Sequence, residues 1–153
     1  MKIEYLCEYI SFSETVAKWI YDEFLSGIRD DLSYSDILAS IRNCHKRELP
    51  IRLIALVDDI CVGTVSLVVN DLKSRDYTPW LAALYVDKKF RNQGIGGHLT
   101  NRIQDIAVIL GYKELFLRTE HASGYYKKLG WVFIESCHDE FSLMPDVFQC
   151  TLV

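Results

Sequence analysis

Apolar residues recur along this chain at two different periods, and each change of period marks an element. Lys2 to Ile10 reads as an opening strand. Ser13 then stands where a helix N-cap is wanted, since its hydroxyl can accept from an unpaired N–H of the first turn, and Val16, Trp19, Ile20 and Phe24 follow at helical spacing. Ser33-Tyr34-Ser35-Asp36 has the form of a capping box for a second helix. On that helix Ile37, Leu38, Ile41 and Cys44 share a face, and Pro50 closes the segment.

The period then falls to two. Ile51 to Val57 and Cys61 to Val69 are β-rich runs around the compact turn Asp58-Asp59-Ile60, which predicts an antiparallel hairpin, with Gly63 marking a bulge or a close contact. Asn70 to Pro79 is polar and turn-rich. Trp80-Leu81-Ala82-Ala83-Leu84-Tyr85-Val86 follows as a continuous apolar run, the pattern of a central strand buried on both faces. Ile95, Leu99, Ile103, Ile106 and Leu110 form the stripe of a helix that Gly111 can end in a left-handed conformation. Glu114 to Thr119, Ala122 to Leu129, Trp131 to Glu135 and Val147 to Val153 read as strand, helix, strand and strand. Strands and helices mixed in this order predict an α+β (mixed α/β) fold, in one domain over 1–153 without repeats or a linker. The last strand, Val147 to Val153, is expected at an exposed sheet edge, which offers a surface for a homodimer.

Composition narrows the functions. Half of the 153 residues are apolar, enough for a real core. No apolar run reaches membrane-spanning length and Met1-Lys2-Ile3-Glu4-Tyr5 lacks a secretory layout, so a soluble, cytoplasmic protein with no membrane partner is expected. A net charge of −4 and a single short basic cluster, His45-Lys46-Arg47, speak against nucleic acid. The 5 cysteines are scattered without C-x-x-C, and the 4 histidines show no ligand spacing, so neither a disulfide framework nor a metal site is predicted.

The chemistry concentrates in Arg91-Asn92-Gln93-Gly94-Ile95-Gly96-Gly97, between the apolar strand and the amphipathic helix. Glycines let a ligand approach the backbone, and the unpaired N–H groups of a helix's first turn, at the positive end of its dipole, suit a phosphate. Gly97 is followed by His98 and Leu99 instead of Lys and Ser or Thr, which excludes a Walker loop. Leu99 stands where a dinucleotide fingerprint needs its third glycine, which excludes that reading too.

Arg91, Gly94 and Gly96 do fit [Q/R]-x-x-G-x-[G/A], and here the chain resembles the GCN5-related N-acetyltransferases, a family that binds the pyrophosphate of acetyl-coenzyme A in this loop. Ala122-Ser123-Gly124-Tyr125-Tyr126-Lys127-Lys128-Leu129-Gly130-Trp131 resembles the family's second signature. One helix and one strand separate the two, as in the family.

The resemblance implies a mostly antiparallel sheet flanked by helices, whose bulged central strand splays from the next. It also implies a set of roles. Backbone N–H groups from Gln93 to Gly97, with Arg91 and Asn92, would take the pyrophosphate; Leu84, Tyr85 and Val86 would lie along the pantetheine; Thr119, where many relatives have Asn, would offer a hydroxyl. The first two helices would shape the acceptor side. The reaction implied is direct attack of a neutral primary amine, on a small molecule or a protein, at the thioester. The backbone N–H of Leu84 would serve the oxyanion, and the Tyr126 hydroxyl the leaving thiolate. Some relatives carry a glutamate as base on the central strand, but Trp80 stands there and cannot take a proton. Glu120, placed with Tyr126 and Leu84 in the catalytic set, shares the base role as a candidate with His121, Asp71 and Asp76. Without an evident base, a non-catalytic acyl-coenzyme A sensor of the same fold is the alternative.

Overall fold

Seven strands build one sheet: β1 (Lys2–Tyr5), β2 (Ile51–Val57), β3 (Ile60–Val68), β4 (Trp80–Val86), β5 (Glu114–Thr119), β6 (Val132–Ser136) and β7 (Asp146–Thr151). In the computed structural model, which describes residues 1–153, they run in the order β1-β2-β3-β4-β5-β7-β6. Every neighbouring pair is antiparallel except β4 and β5. Four helices accompany the sheet: α1 (Ser13–Ile20), α2 (Tyr34–Arg42), α3 (Ile95–Ile109) and α4 (Ser123–Lys128). The mixed α+β architecture matches the sequence reading.

Local chemistry explains most boundaries. Asp58 and Asp59 both take positive φ, the requirement of a two-residue hairpin turn whose twist suits the flanking strands, so β3 begins at Ile60. Ser33 and Asp36 form the reciprocal capping box of α2. Gly111, at φ 92°, ends α3 in a Schellman motif, with Tyr112 N–H bonding Ala107 C=O and Gly111 N–H bonding Val108 C=O. Gly63 is a close contact: a Cβ there would lie 3.1 Å from Leu99 and 3.2 Å from the Tyr85 carbonyl. Leu99 of α3 therefore packs directly onto β3.

Several expectations need correction: α2 ends at Arg42, short of Cys44, and β4 is fully buried only over Trp80, Leu81 and Ala82, its residues 83–86 being partly exposed. The opening strand stops at Tyr5, because only Lys2 to Tyr5 pair with β2 before two 3₁₀ turns carry the chain into α1. Ser13 does not cap α1; Phe12 holds the cap position, and the buried Ser13 hydroxyl has no hydrogen-bond partner. The last strand is not an edge. β7 inserts between β5 and β6, so β1 and β6 form the edges and the case for a dimer through Val147–Val153 loses its basis.

The core lies on both faces of the sheet. Leu53, Val65, Leu81, Leu115, Leu117 and Phe148 pack beneath the α3 stripe of Ile95, Leu99, Ile103 and Ile106. Leu6, Val16, Ile20, Ile37, Ile41 and Ile54 form a second cluster under α1 and α2. Trp80, Phe116, Val147, Cys137 and Leu72 form a third, on the face of β5 away from α3, since residues alternate faces along a strand. No helix is long and apolar enough to cross a membrane.

Candidate active site

The site begins with a fault in β4. Ala82 pairs with Ser66 and Tyr85 with Thr64, so Ala83 and Leu84 oppose Val65 alone: a β-bulge, with Ala83 at φ 54°. The extra residue breaks the alternation of faces. Leu81 packs against the α3 side, and so do Leu84 and Val86, whereas Ala83 turns to the α1 and α2 cluster. On its other side β4 meets β5 at one register point, Trp80 with Phe116, and the strands then part. From Leu81 to Val86 the backbone of β4 has no strand partner on β5, a slot into which an extended amide chain can add as a strand.

At the C-terminal end of this slot stands the glycine loop. Arg91 folds back to donate Nε to the Val86 carbonyl at 2.8 Å and lies over the Tyr85 ring, so it braces the loop. Asn92 and Gly94 both take positive φ, and Gly94 is the left-handed N-cap of α3. The first N–H bonded within the turn is that of His98, to Gly94 C=O at 3.1 Å; no protein group accepts from the N–H groups of Gln93 to Gly97. A 15-residue helix directs its positive end at the same point. These features fit a pyrophosphate.

α4 faces the slot from the other strand. Its Gly130, at φ 91°, makes a second Schellman motif, with Trp131 N–H bonding Tyr126 C=O and the Trp131 ring packed edge-on against the Tyr126 ring. Tyr126 is only 8% exposed. Burial raises its phenol above the ordinary value, and no protein group bonds the hydroxyl, which remains a protonated donor at neutral pH. The Thr119 hydroxyl accepts from Ala122 N–H at 3.0 Å, so it fixes the turn between β5 and α4 and keeps its proton free for another acceptor.

The opposite face of the splay holds the charges. Arg118 donates to Glu120 at 2.6 Å, to the nearly inaccessible Asp139 at 2.7 Å and to the Asp71 carbonyl at 3.4 Å. Asp71 differs from these carboxylates: its side chain accepts no hydrogen bond, and desolvation pushes it up to about 7. Arg118 pulls it down, and Glu120 and Glu140 push it up. The segment carrying Asp71 is tied down by Asn70, which bonds the carbonyls of Leu72 and Arg75, and by Arg75 and Tyr77, which both hold Glu135 on β6 and keep its carboxyl down to about 2. Trp80 is fully buried against Tyr77 and Phe116, a core residue with no acid–base part. His121 and Asp76 are exposed. Across the slot, Trp19 of α1 packs on Tyr85 at 5.3 Å, so α1 forms the other wall.

A profile of the acetyltransferase (GNAT) family matches residues 14–131. The chain belongs to that family. Solved structures share the fold at low identity. An aminoglycoside 6′-N-acetyltransferase complexed with coenzyme A has a TM-score of 0.79 at 15% identity, covering 100% of this chain and 98% of that one. An aminoglycoside 6′-acetyltransferase type Ii gives 0.78 at 17%, with the same coverage. A putative acetyltransferase from Salmonella typhimurium with its cofactor acetyl-CoA gives 0.68 at 18%, covering 100% and 94%. GNAT membership makes this protein an acetyl-CoA-dependent acyltransferase.

As a GNAT domain it gathers Leu84, Tyr85, Val86, the Arg91–Gly97 loop, Thr119 and Tyr126 around one slot. Glu120 lies close by but is held by Arg118. Sequence reasoning missed Arg118, although an arginine inside the apolar run Glu114–Thr119 is a usable signal, while the bulge that the family resemblance implies for the central strand falls at Ala83, a position that two successive small residues signal only faintly. The open depressions of about 500 and 410 Å³ lie near His45–Glu48 and the C-terminal end of α3, far from the loop at its N-terminus.

Proposed function

We propose that this chain transfers the acetyl group of acetyl-coenzyme A to a primary amine of a cationic small molecule, with Asp71 as the base. The β4 bulge beside an unpaired strand edge is the observation that carries the reading. The bound cosubstrate supplies an activated thioester carbonyl. The free N–H groups of Gln93 to Gly97 hold its pyrophosphate and the β4 edge its pantetheine amides. The bulge leaves Leu84 without a β3 partner, and its N–H serves as donor to the carbonyl oxygen as charge develops there.

Asp71, pushed up to about 7, is matched to accept a proton from an ammonium near neutral pH, directly or through water, whereas Glu120 is already engaged by Arg118. The attacking nitrogen forms the C–N bond as the C–S bond breaks, Tyr126 donates its proton to the departing sulfur, and the proton that the nitrogen sheds in becoming an amide restores the Tyr126 hydroxyl, directly or through water. Carboxylates at 71, 120 and 139 on the acceptor face favour a cationic acceptor, and the likeness in fold to two aminoglycoside acetyltransferases agrees with that class. A thiol-release assay over aminoglycosides, polyamines and lysine peptides tests the proposal. Acceptor-dependent release with a cationic small molecule is expected; coenzyme A binding with no release for any amine supports a sensor instead.

A further inference from the structure

Tyr125 stands beside the glycine loop and takes no part in the acetyl transfer itself. A Cβ built on Gly96 would lie 2.7 Å from the Tyr125 hydroxyl oxygen and 3.8 Å from its Cζ, so the phenol reaches the first turn of α3 end-on and fills the space a side chain at 96 would need. The loop pattern tolerates Gly or Ala at this position. Here an Ala methyl and the hydroxyl cannot share the space. Tyr125 is 41% exposed, and its hydroxyl bonds no protein group. It comes from α4, so it approaches the free N–H groups of Ile95 to Gly97 from a separate element.

We infer that Tyr125 is a cofactor-binding residue: its O–H donates to a pyrophosphate oxygen of coenzyme A seated on the first turn of α3, and Gly96 is a glycine so that this hydroxyl can stand there. The inference rests on the proposed coenzyme A site and adds a side-chain donor to a cradle otherwise made of backbone. Partial burial, which raises the phenol above its ordinary value, keeps the proton on the oxygen at neutral pH. The two signatures of the sequence are thereby coupled, Gly96 in the first making room for Tyr125 in the second.

Calorimetry with coenzyme A on the wild-type chain, Tyr125→Phe, Gly96→Ala and the double variant tests it, with KM measured for acetyl-coenzyme A and for acetyl-pantetheine, a donor without pyrophosphate. Loss of a hydrogen bond to a charged acceptor should weaken coenzyme A binding about tenfold in Tyr125→Phe and leave KM for acetyl-pantetheine unmoved. Gly96→Ala should weaken binding in the wild type by displacing the hydroxyl, and by clearly less in the Tyr125→Phe background. Wild-type affinity in Tyr125→Phe, an equal loss with both donors, or an equal cost of Gly96→Ala in the two backgrounds overturns the inference alone. Should Tyr125→Phe fail to fold, Gly96→Ala with normal coenzyme A affinity overturns it as well. A wild-type chain that binds no coenzyme A overturns the proposed site, and the inference with it.

Discussion

The two ends of the β4 slot are built from different materials. At the glycine-loop end, where we propose the cofactor's phosphates sit, the free groups are backbone amides, set by Gly94 in a left-handed conformation and by the start of α3. At the other end, the proposed acceptor side, the groups are side chains: Asp71, whose carbonyl accepts from Arg118, from the loop before β4; Arg118 and Glu120 from the end of β5; and Asp139 from the loop after β6. A backbone cradle depends on where glycine is allowed, so it leaves a short, ordered trace in the sequence. A carboxylate set drawn from three segments leaves none, and its chemistry depends on burial and pairing. Asp71 and Glu120 are both ordinary carboxylates in sequence, yet one is desolvated and unbonded and the other held by a guanidinium.

The strongest way to break this contrast is Asp71→Asn. With Asp71 as the base, the substitution should lower kcat/KM about a hundredfold and abolish an ascending limb that reaches half its height near pH 7 in the wild type. A retained limb would assign it to another group. The same variant has a stability signature. A carboxyl whose folded pKa lies above its unfolded value binds its proton more tightly in the native state, so stability falls as pH rises from about 4 to about 7. Asp71→Asn should therefore raise the melting temperature relative to wild type at pH 8 and change it little at pH 4, as differential scanning calorimetry can read.

Tyr126→Phe comes next in size. It removes the donor to the sulfur without altering the cradle, so turnover should fall about tenfold or more while coenzyme A affinity stays the same. Unchanged turnover would make Tyr126 only the packing partner of Trp131 and Phe148. Gly63→Ala probes the support beneath both ends, because its methyl would press on Leu99 and the Tyr85 carbonyl. Urea denaturation should show a loss of about 1–3 kcal/mol. The smallest effect is expected from Glu120→Gln, at most about threefold in kcat/KM, since that carboxylate is already engaged by Arg118. A loss matching that of Asp71→Asn would move the base to Glu120.

Much of this was legible in one dimension. The β2–β3 hairpin, the α2 capping box, the α3 stripe and the glycine loop each follow from local rules, and the structure places them as read. The Tyr126-to-Trp131 signature was read as chemistry, and half of it is structure: Gly130 and Trp131 close a Schellman motif whose apolar contact is Tyr126 itself. The misreadings were those that local rules could not resolve. Ser13 looks like a cap, yet the 3₁₀ turns before it bring Phe12 to that position. Val147–Val153 looks like a terminal edge because it comes last, but it slides between β5 and β6, where Val147 and Phe148 reach the core.

By itself the sequence determined the α+β class, most of the elements, the family and the position of the glycine loop proposed to hold a pyrophosphate, since all of these rest on period, glycine position and short-range spacing. Tertiary structure decided the rest, including where the bulge and splay implied by the family resemblance fall. It broke the alternation of β4 at Ala83 so that Leu81 and Leu84 share a face, parted β4 from β5 after one register point, and desolvated Asp71 while tying Glu120 to Arg118. The physical reason is that strand pairing and desolvation are properties of what surrounds a residue, and those surroundings come from segments far apart in the chain.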